Sequence, residues 1–265
     1  MPASSSTESN TYDAYLRFAL DAAWQAGRLT LGYYQTGITA ERKADNSPVT
    51  LADRQAEQKL RELIGRAWPD HGIVGEEYGY TESRSRYTWI LDPIDGTKSF
   101  ISGVPFYSVL VALTEDEQPV LGVIYFPALD DMVYATRGGG TFWNGRPTRV
   151  STVNDLSQAV LLTSDIDTHA QLGRQRAFDN LVNATYFQRT WGDAYGYALV
   201  ATGRAEIMID PIMAPWDCGP MQVILEEAGG TFTDWTGKPT IYGGEGLATN
   251  GALYDDVIRL VRDDG

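Results

Sequence analysis

A mixed α and β protein is what this sequence predicts, and three patterns lead there. Residues 11–34 carry apolar side chains at helical spacing, with Tyr12, Leu16, Ala19, Ala23 and Ala26 on one stripe. Residues 106–113 and 120–126 alternate in polarity on either side of the acidic turn 114–119, which reads as a hairpin. Beyond Val150, strand-like and helix-like segments take turns to the C-terminus.

In chain order, residues 1–10 are polar, without the apolar core of a signal peptide or the arginines of a transit sequence, and read as a frayed tail. After the first helix, Thr50-x-x-Asp53 has the form of an N-terminal cap ahead of a second, whose buried stripe is Ala56, Leu60, Leu63 and Ile64. Gly72, Ile73 and Val74 form a short apolar run, and residues 87–91 read as a buried strand followed by a short helix. Gly138 to Gly140 and the pair Asn144 and Gly145 mark turns. A lobe boundary is expected near Val150, dividing an N-terminal lobe over 11–150 from a C-terminal lobe over 151–265. The second lobe is expected to hold strands at 160–163, 186–190 and 206–210, and helices at 171–182 and 193–202. Another helix runs from Met221 to a glycine stop at Gly229 and Gly230.

Composition limits the function. A chain of 265 residues, 43% hydrophobic, can bury a substantial core. It holds no apolar run of about 18 residues, which argues against a membrane span. The single cysteine, Cys218, excludes an internal disulfide and fits a reducing compartment, with the cytoplasm as the default. A net charge of −14 argues against nucleic acid as a partner, because binding to its backbone relies on basic patches. His71 and His169 fall in no motif and are expected on the surface or in loops.

The most informative stretch is Asp92-Pro93-Ile94-Asp95-Gly96-Thr97. Two carboxylates three residues apart, on what reads as a stiffened turn after a strand, can aim their oxygens at one concavity, with the Ile94 carbonyl adding a third. Gly96 lets backbone approach an anion, and Thr97 can orient a water. Hard cations such as Mg²⁺ take oxygen ligands and keep water and phosphate oxygens in their shell, and a helix start favours anions. Such a group suits metal-assisted hydrolysis of a phosphate ester. Asp-Gly after a strand is also an ordinary turn. Glu76, closing the apolar run before it, and Asp217, opening the segment before Met221, are further candidates.

Three segments, Gly75-Glu76-Glu77, residues 89–100 (WILDPIDGTKSF) and residues 216–230 (WDCGPMQVILEEAGG), resemble the signatures of the inositol monophosphatase family of Mg²⁺-dependent phosphomonoesterases in order and spacing. The resemblance runs from about residue 10 to the C-terminus. It implies an α+β fold, a layered αβαβα sandwich, and a homodimer. It also implies two or three Mg²⁺ per active site. Glu76, Asp92 and the carbonyl of Ile94 would hold one ion, and Asp92, Asp95 and Asp217 a second. Asp53 and Thr97 would position the attacking water, and the amides of Gly96 and Thr97 would bind phosphate. With Asp53 counted in, the five carboxylates sum to −5, which bound Mg²⁺ would offset. Each acidic residue has a structural alternative: Asp217 and Asp53 suit helix starts. Lys43 matches a family lysine near the metals and equally suits a solvated loop.

The substrate would be a small phosphorylated metabolite. Lys98 after the DGT triplet and residues 189–196 (RTWGDAYG) are more like the histidinol-phosphate branch than the inositol branch. Histidinol phosphate carries an ammonium and an imidazole, whereas inositol is a neutral polyol. A cationic leaving group calls for carboxylates beyond the metal shell, and Asp193 and Asp210 are the candidates, with Arg189 in the same segment. Asp193 also suits a helix start and Asp210 a strand-end turn. The expected reaction is hydrolysis of L-histidinol phosphate, with inositol-1-phosphate as the alternative. A non-catalytic metal-dependent binding protein is the reading of another class.

Overall fold

The computed structural model describes residues 11–44 and 47–262; the tail expected over 1–10 lies outside them. Helix α1 (Asp13–Leu31) buries Ala19, Ala22, Ala23 and Ala26, small residues that let the helix lie close to what it covers. A two-stranded pair, β1 (Glu41–Arg42) and β2 (Pro48–Val49), leads to α2 (Leu51–Ala67). That helix starts with the expected capping box: the Thr50 hydroxyl accepts from Ala52 N, and Asp53 accepts from Thr50 N at 2.8 Å.

The main sheet takes β3 (Gly72–Gly75), β4 (Gly79–Thr81) and β5 (Tyr87–Asp95), then, after the short α3 (Thr97–Ile101), β6 (Ser108–Glu115), β7 (Gln118–Phe126), β8 (Asp131–Thr136), β9 (Gly140–Trp143) and β10 (Arg146–Thr148). Its order is β10-β9-β8-β7-β6-β5-β3-β4, antiparallel except where β3 runs parallel to β5. The expected hairpin is β6–β7, turned by Asp116 and Glu117 at φ 48° and 64°. β5 is longer than expected. Asp92 to Asp95 belong to the strand, with a register shift between Asp92 and Asp95 against β6, so the acidic pair sits on a bulge rather than in a turn. A bulge re-aims side chains near the end of a strand.

The chain then builds a second sheet from β11 (Val160–Thr163), β12 (Phe187–Arg189), β13 (Ile207–Asp210), β14 (Thr231–Thr233) and β15 (Gly246–Thr249), ordered β12-β11-β13-β15-β14. The expected helix at 171–182 starts later, as α5 (Gln175–Ala184), because Gly173 at φ +73° breaks the helix there, and an unexpected short helix, α4 (Ile166–Gln171), precedes the break. His169 falls in α4 and is fully buried, against the surface or loop position expected for it. The remaining helices are α6 (Asp193–Ala201), α7 (Pro215–Cys218), α8 (Met221–Glu227) and α9 (Tyr254–Arg262).

Five layers result. Helices α1 and α2 cover one face of the main sheet, joined by a core that includes Leu60, Ile64, Trp89, Leu91 and Val123. Helices α6 and α8 fill the space between the two sheets, around Leu110, Ile124, Tyr197, Met208 and Leu225. Helices α5 and α9 pack together on the far side of the second sheet, over Leu161, Ile207 and Leu247. This is an α+β sandwich of αβαβα type.

Candidate active site

A cleft of about 530 Å³ opens where the end of β5, the start of α6 and the start of α7 meet. Three carboxylates from two of these elements face one another. One oxygen each of Asp92, Asp95 and Asp217 lie within 4.8 Å of each other. Asp92 is held on the bulge by the strand's own backbone, Oδ1 accepting from Ile94 N at 3.0 Å. Asp95 Oδ2 accepts from the Ser108 hydroxyl at 3.0 Å and from Ala194 N at 2.8 Å, so strand β6 and helix α6 both fix it. Asp217 Oδ2 accepts from Ala214 N at 2.7 Å; it is a cap and a member of the triad at once.

Glu76 reaches the Asp92 carboxyl from the end of β3. Lys43 donates to Glu76 Oε1 at 2.7 Å and to Glu77 Oε1 at 2.5 Å, so its charge is paired with the carboxylates of the turn after β3 rather than left to solvent. On the other side, Thr97 Oγ1 lies 3.1 Å from Ile94 O and 3.4 Å from Asp53 Oδ1. Asp53 is fully buried, and its Oδ2 is committed to Thr50. The expected contact between Asp53 and Thr97 is therefore present, and it coexists with the capping role. Gly96 has φ +77°, and a Cβ there would stand 2.8 Å from Asp193 Oδ2. Only glycine suits both the conformation and the approach.

Electrostatics follow from burial. Asp92 and Asp95 are pushed well above the usual carboxylate range, first by desolvation and then by neighbouring carboxylates: Glu76, Asp95 and Asp217 for Asp92, Asp193 and Asp217 for Asp95. Burial lifts Asp217 to about 6. Burying several carboxylates together is costly unless a cation shares them. The donors are all hard oxygens, a chemistry that fits Mg²⁺ and not a soft metal.

The substrate end is uneven. Asp193, at φ +53°, lies against Gly96, and its main-chain N–H donates to the Ser164 hydroxyl at 2.8 Å. Asp210 is raised to about 7 by burial, and both its oxygens are engaged, by Ser164 N and the Tyr197 hydroxyl, each at 3.1 Å. Arg189 stays outside the cleft; it donates to Gln188 O at 2.7 Å, stacks over Phe187 and borders a smaller neighbouring cavity. Two supports went unread in the sequence, Ser108 behind Asp95 and the buried Glu57 behind the turn after β3. A lone charge on the buried stripe of α2, four residues after Asp53, was the available signal for Glu57.

Comparison with known proteins places the chain in a family and agrees with the fold. The model of the inositol monophosphatase family matches residues 11–264. The histidinol-phosphatase of Chlorobaculum parvum is 42% identical over 93% of this chain and 96% of its own length. The histidinol-phosphatase of Mycobacterium tuberculosis is 38% identical over 92% and 96%. The crystal structure of the extragenic suppressor protein suhB from Bartonella henselae superimposes with a TM-score of 0.89 at 29% identity, over 94% of this chain and 98% of that one.

Proposed function

The chain belongs to the inositol monophosphatase family, and we propose on that premise that it is a Mg²⁺-dependent phosphoric monoester hydrolase acting on L-histidinol phosphate. The convergence of Asp92, Asp95 and Asp217 beside the Asp53–Thr97 contact is the observation that carries this reading. Asp92, Asp95 and Asp217 would hold one Mg²⁺, and Asp92, Glu76 and the Ile94 carbonyl another. When bound, the metal would offset phosphoryl charge and acidify a water.

The residues of the chain do the aiming. Asp53 Oδ2 is locked to Thr50, which leaves Oδ1 toward Thr97 Oγ1. The Thr97 proton is thereby directed to Asp53 or to Ile94 O, and the hydroxyl's lone pairs are left for a water O–H. That water then presents its own lone pair to phosphorus, in line with the departing alkoxide. The N–H groups of Gly96 and Thr97, opening α3, would donate to phosphoryl oxygens. Cys218 is fully buried and its thiol is raised by burial, so it takes no part as a nucleophile.

Two facts favour histidinol phosphate. Relatives of that name match nearly the whole chain, and the cleft carries Asp193 and the half-exposed Asp165 beyond the triad, which suits a cationic leaving group. Of the candidates at that end, Asp193 contacts substrate, Asp210 holds Ser164 and Tyr197 in place, and Arg189, outside the cleft, is left without a substrate role. The reading includes a homodimer in the cytoplasm.

Steady-state hydrolysis of histidinol phosphate and inositol-1-phosphate, with Mg²⁺ and with EDTA, tests this. A higher kcat/KM on histidinol phosphate, abolished by EDTA, supports it. Preference for inositol-1-phosphate would move the substrate, and no Mg²⁺-dependent release from either would favour a binding protein.

A further inference from the structure

We infer that Glu57 is a positioning residue: its carboxylate sets the direction of the turn that presents Glu76 to the cleft. Glu57 lies on α2 one turn after Asp53 and is fully buried. Its Oε2 accepts from Glu77 N at 2.6 Å and its Oε1 from Tyr78 N at 3.2 Å, the two amides that directly follow Glu76. Arg61, one turn further along α2, completes the group. It donates through Nε to Glu57 Oε1 at 2.7 Å, through one terminal nitrogen to Thr81 Oγ1 at 3.0 Å, and through the other to Gly79 O.

The fit extends to the residue before Glu76. A Cβ on Gly75 would stand 2.2 Å from Glu57 Oε1 and 2.5 Å from its carboxyl carbon. Glycine there lets the carboxylate of α2 come against the backbone of the turn. Glu76 N donates to Leu91 O on β5, so β5 holds one side of the turn and Glu57 the other. The backbone that sets the direction of the Glu76 Cα–Cβ bond cannot shift without breaking bonds from the Glu77 and Tyr78 amides to a buried carboxylate. Groups that hold a ligand in this way typically change metal affinity by about 10- to 100-fold when removed.

The inference rests on the reading of Glu76 as a metal ligand, and the test separates the two. Mn²⁺ is titrated into the metal-free full-length protein, and free Mn²⁺ is followed by electron paramagnetic resonance, for the wild type and Glu57→Gln. The expected result is a loss of affinity of about tenfold in one class of sites, with the class held by Asp92, Asp95 and Asp217 unchanged. Equal affinities in both proteins would overturn the role of Glu57 alone, whereas a wild type that binds no Mn²⁺ would overturn the metal reading beneath it. A purely structural role would lower the melting temperature and leave both affinities as they were. Should Glu57→Gln fail to fold, Gly75→Ala gives the same readout, because the added methyl displaces the carboxylate while keeping its charge. Adding Glu57→Asp to Gly75→Ala shortens that side chain and is expected to restore part of the affinity; no recovery would count against the contact.

Discussion

Thr97 has one proton and two acceptors within reach, Ile94 O and Asp53 Oδ1, and the mechanism depends on that arrangement. Thr97→Val keeps the shape and removes the hydroxyl. Its kcat is expected to fall about 100-fold with KM little changed, and an unchanged kcat in the same assay would remove Thr97 from the reaction. Asp193→Asn should cost about 10- to 100-fold in kcat/KM on histidinol phosphate, the scale of a lost charged hydrogen bond, and much less on inositol-1-phosphate. Equal losses on the two esters would leave the phosphatase and remove the substrate argument. His169 is a different case. Stacked against Phe178 and Trp235, and with Nδ1 lacking a partner among the described residues, it is lowered by burial to about 4. Between about 6.5 and about 4 the unfolded chain then binds the proton and the native protein does not. Stability from this group is therefore full above pH 6.5 and is lost as pH falls, by about 2 kcal/mol at pH 5. Melting curves between pH 7 and pH 5 should show a steeper decline for the wild type than for His169→Gln.

The middle helical layer meets the main sheet backbone to backbone. A Cβ on Gly122 of β7 would stand 2.6 Å from Pro220 O and 2.7 Å from Pro220 Cα, and both are backbone atoms that have no rotamer to yield. Gly122→Ala is expected to cost about 1–3 kcal/mol, a drop of several degrees in melting temperature by calorimetry. This also marks what was legible in the sequence. The capping box of Thr50 and Asp53, the β6–β7 hairpin and strand β11 were readable because each is a local pattern within a few residues. The bulge that keeps Asp92 and Asp95 inside β5 was not, since it is defined against β6. The break at Gly173 was missed because apolar residues continue at helical spacing on both sides of it. In the site, the ligand candidates were legible through three short segments. The contacts that support them were not: Lys43, read only as a match to a family lysine or a solvated charge, meets Glu76 across 33 positions, and Ala194 meets Asp95 across 99. Arg189 was named from its neighbours in sequence, but strand β12 carries it to the edge of the second sheet, outside the cleft.

Across the whole molecule, net charge and site charge have the same sign. A chain at −14 gathers its buried carboxylates at the meeting of two sheets, where only a cation or protons can relieve them. Carboxylates raised by burial hold protons in the native state that the unfolded chain has lost, so without metal their contribution to stability falls as pH rises through about 4 to 7. Mg²⁺ competes with those protons. Its stabilising effect should therefore grow with pH as Asp217 passes its value of about 6. At a hundredfold excess over the dissociation constant the gain is about 3 kcal/mol, and scanning calorimetry with and without Mg²⁺ at pH 5.5 and 8 would read it. A gain that is equal at both pH values would detach the metal from the acidic cluster.

The shortest route to the central claim is a crystal soaked in Mn²⁺ and measured for its anomalous signal. The account predicts a peak bounded by oxygens of Asp92, Asp95 and Asp217. Those three carboxylates turned apart, with no peak between them, would contradict it.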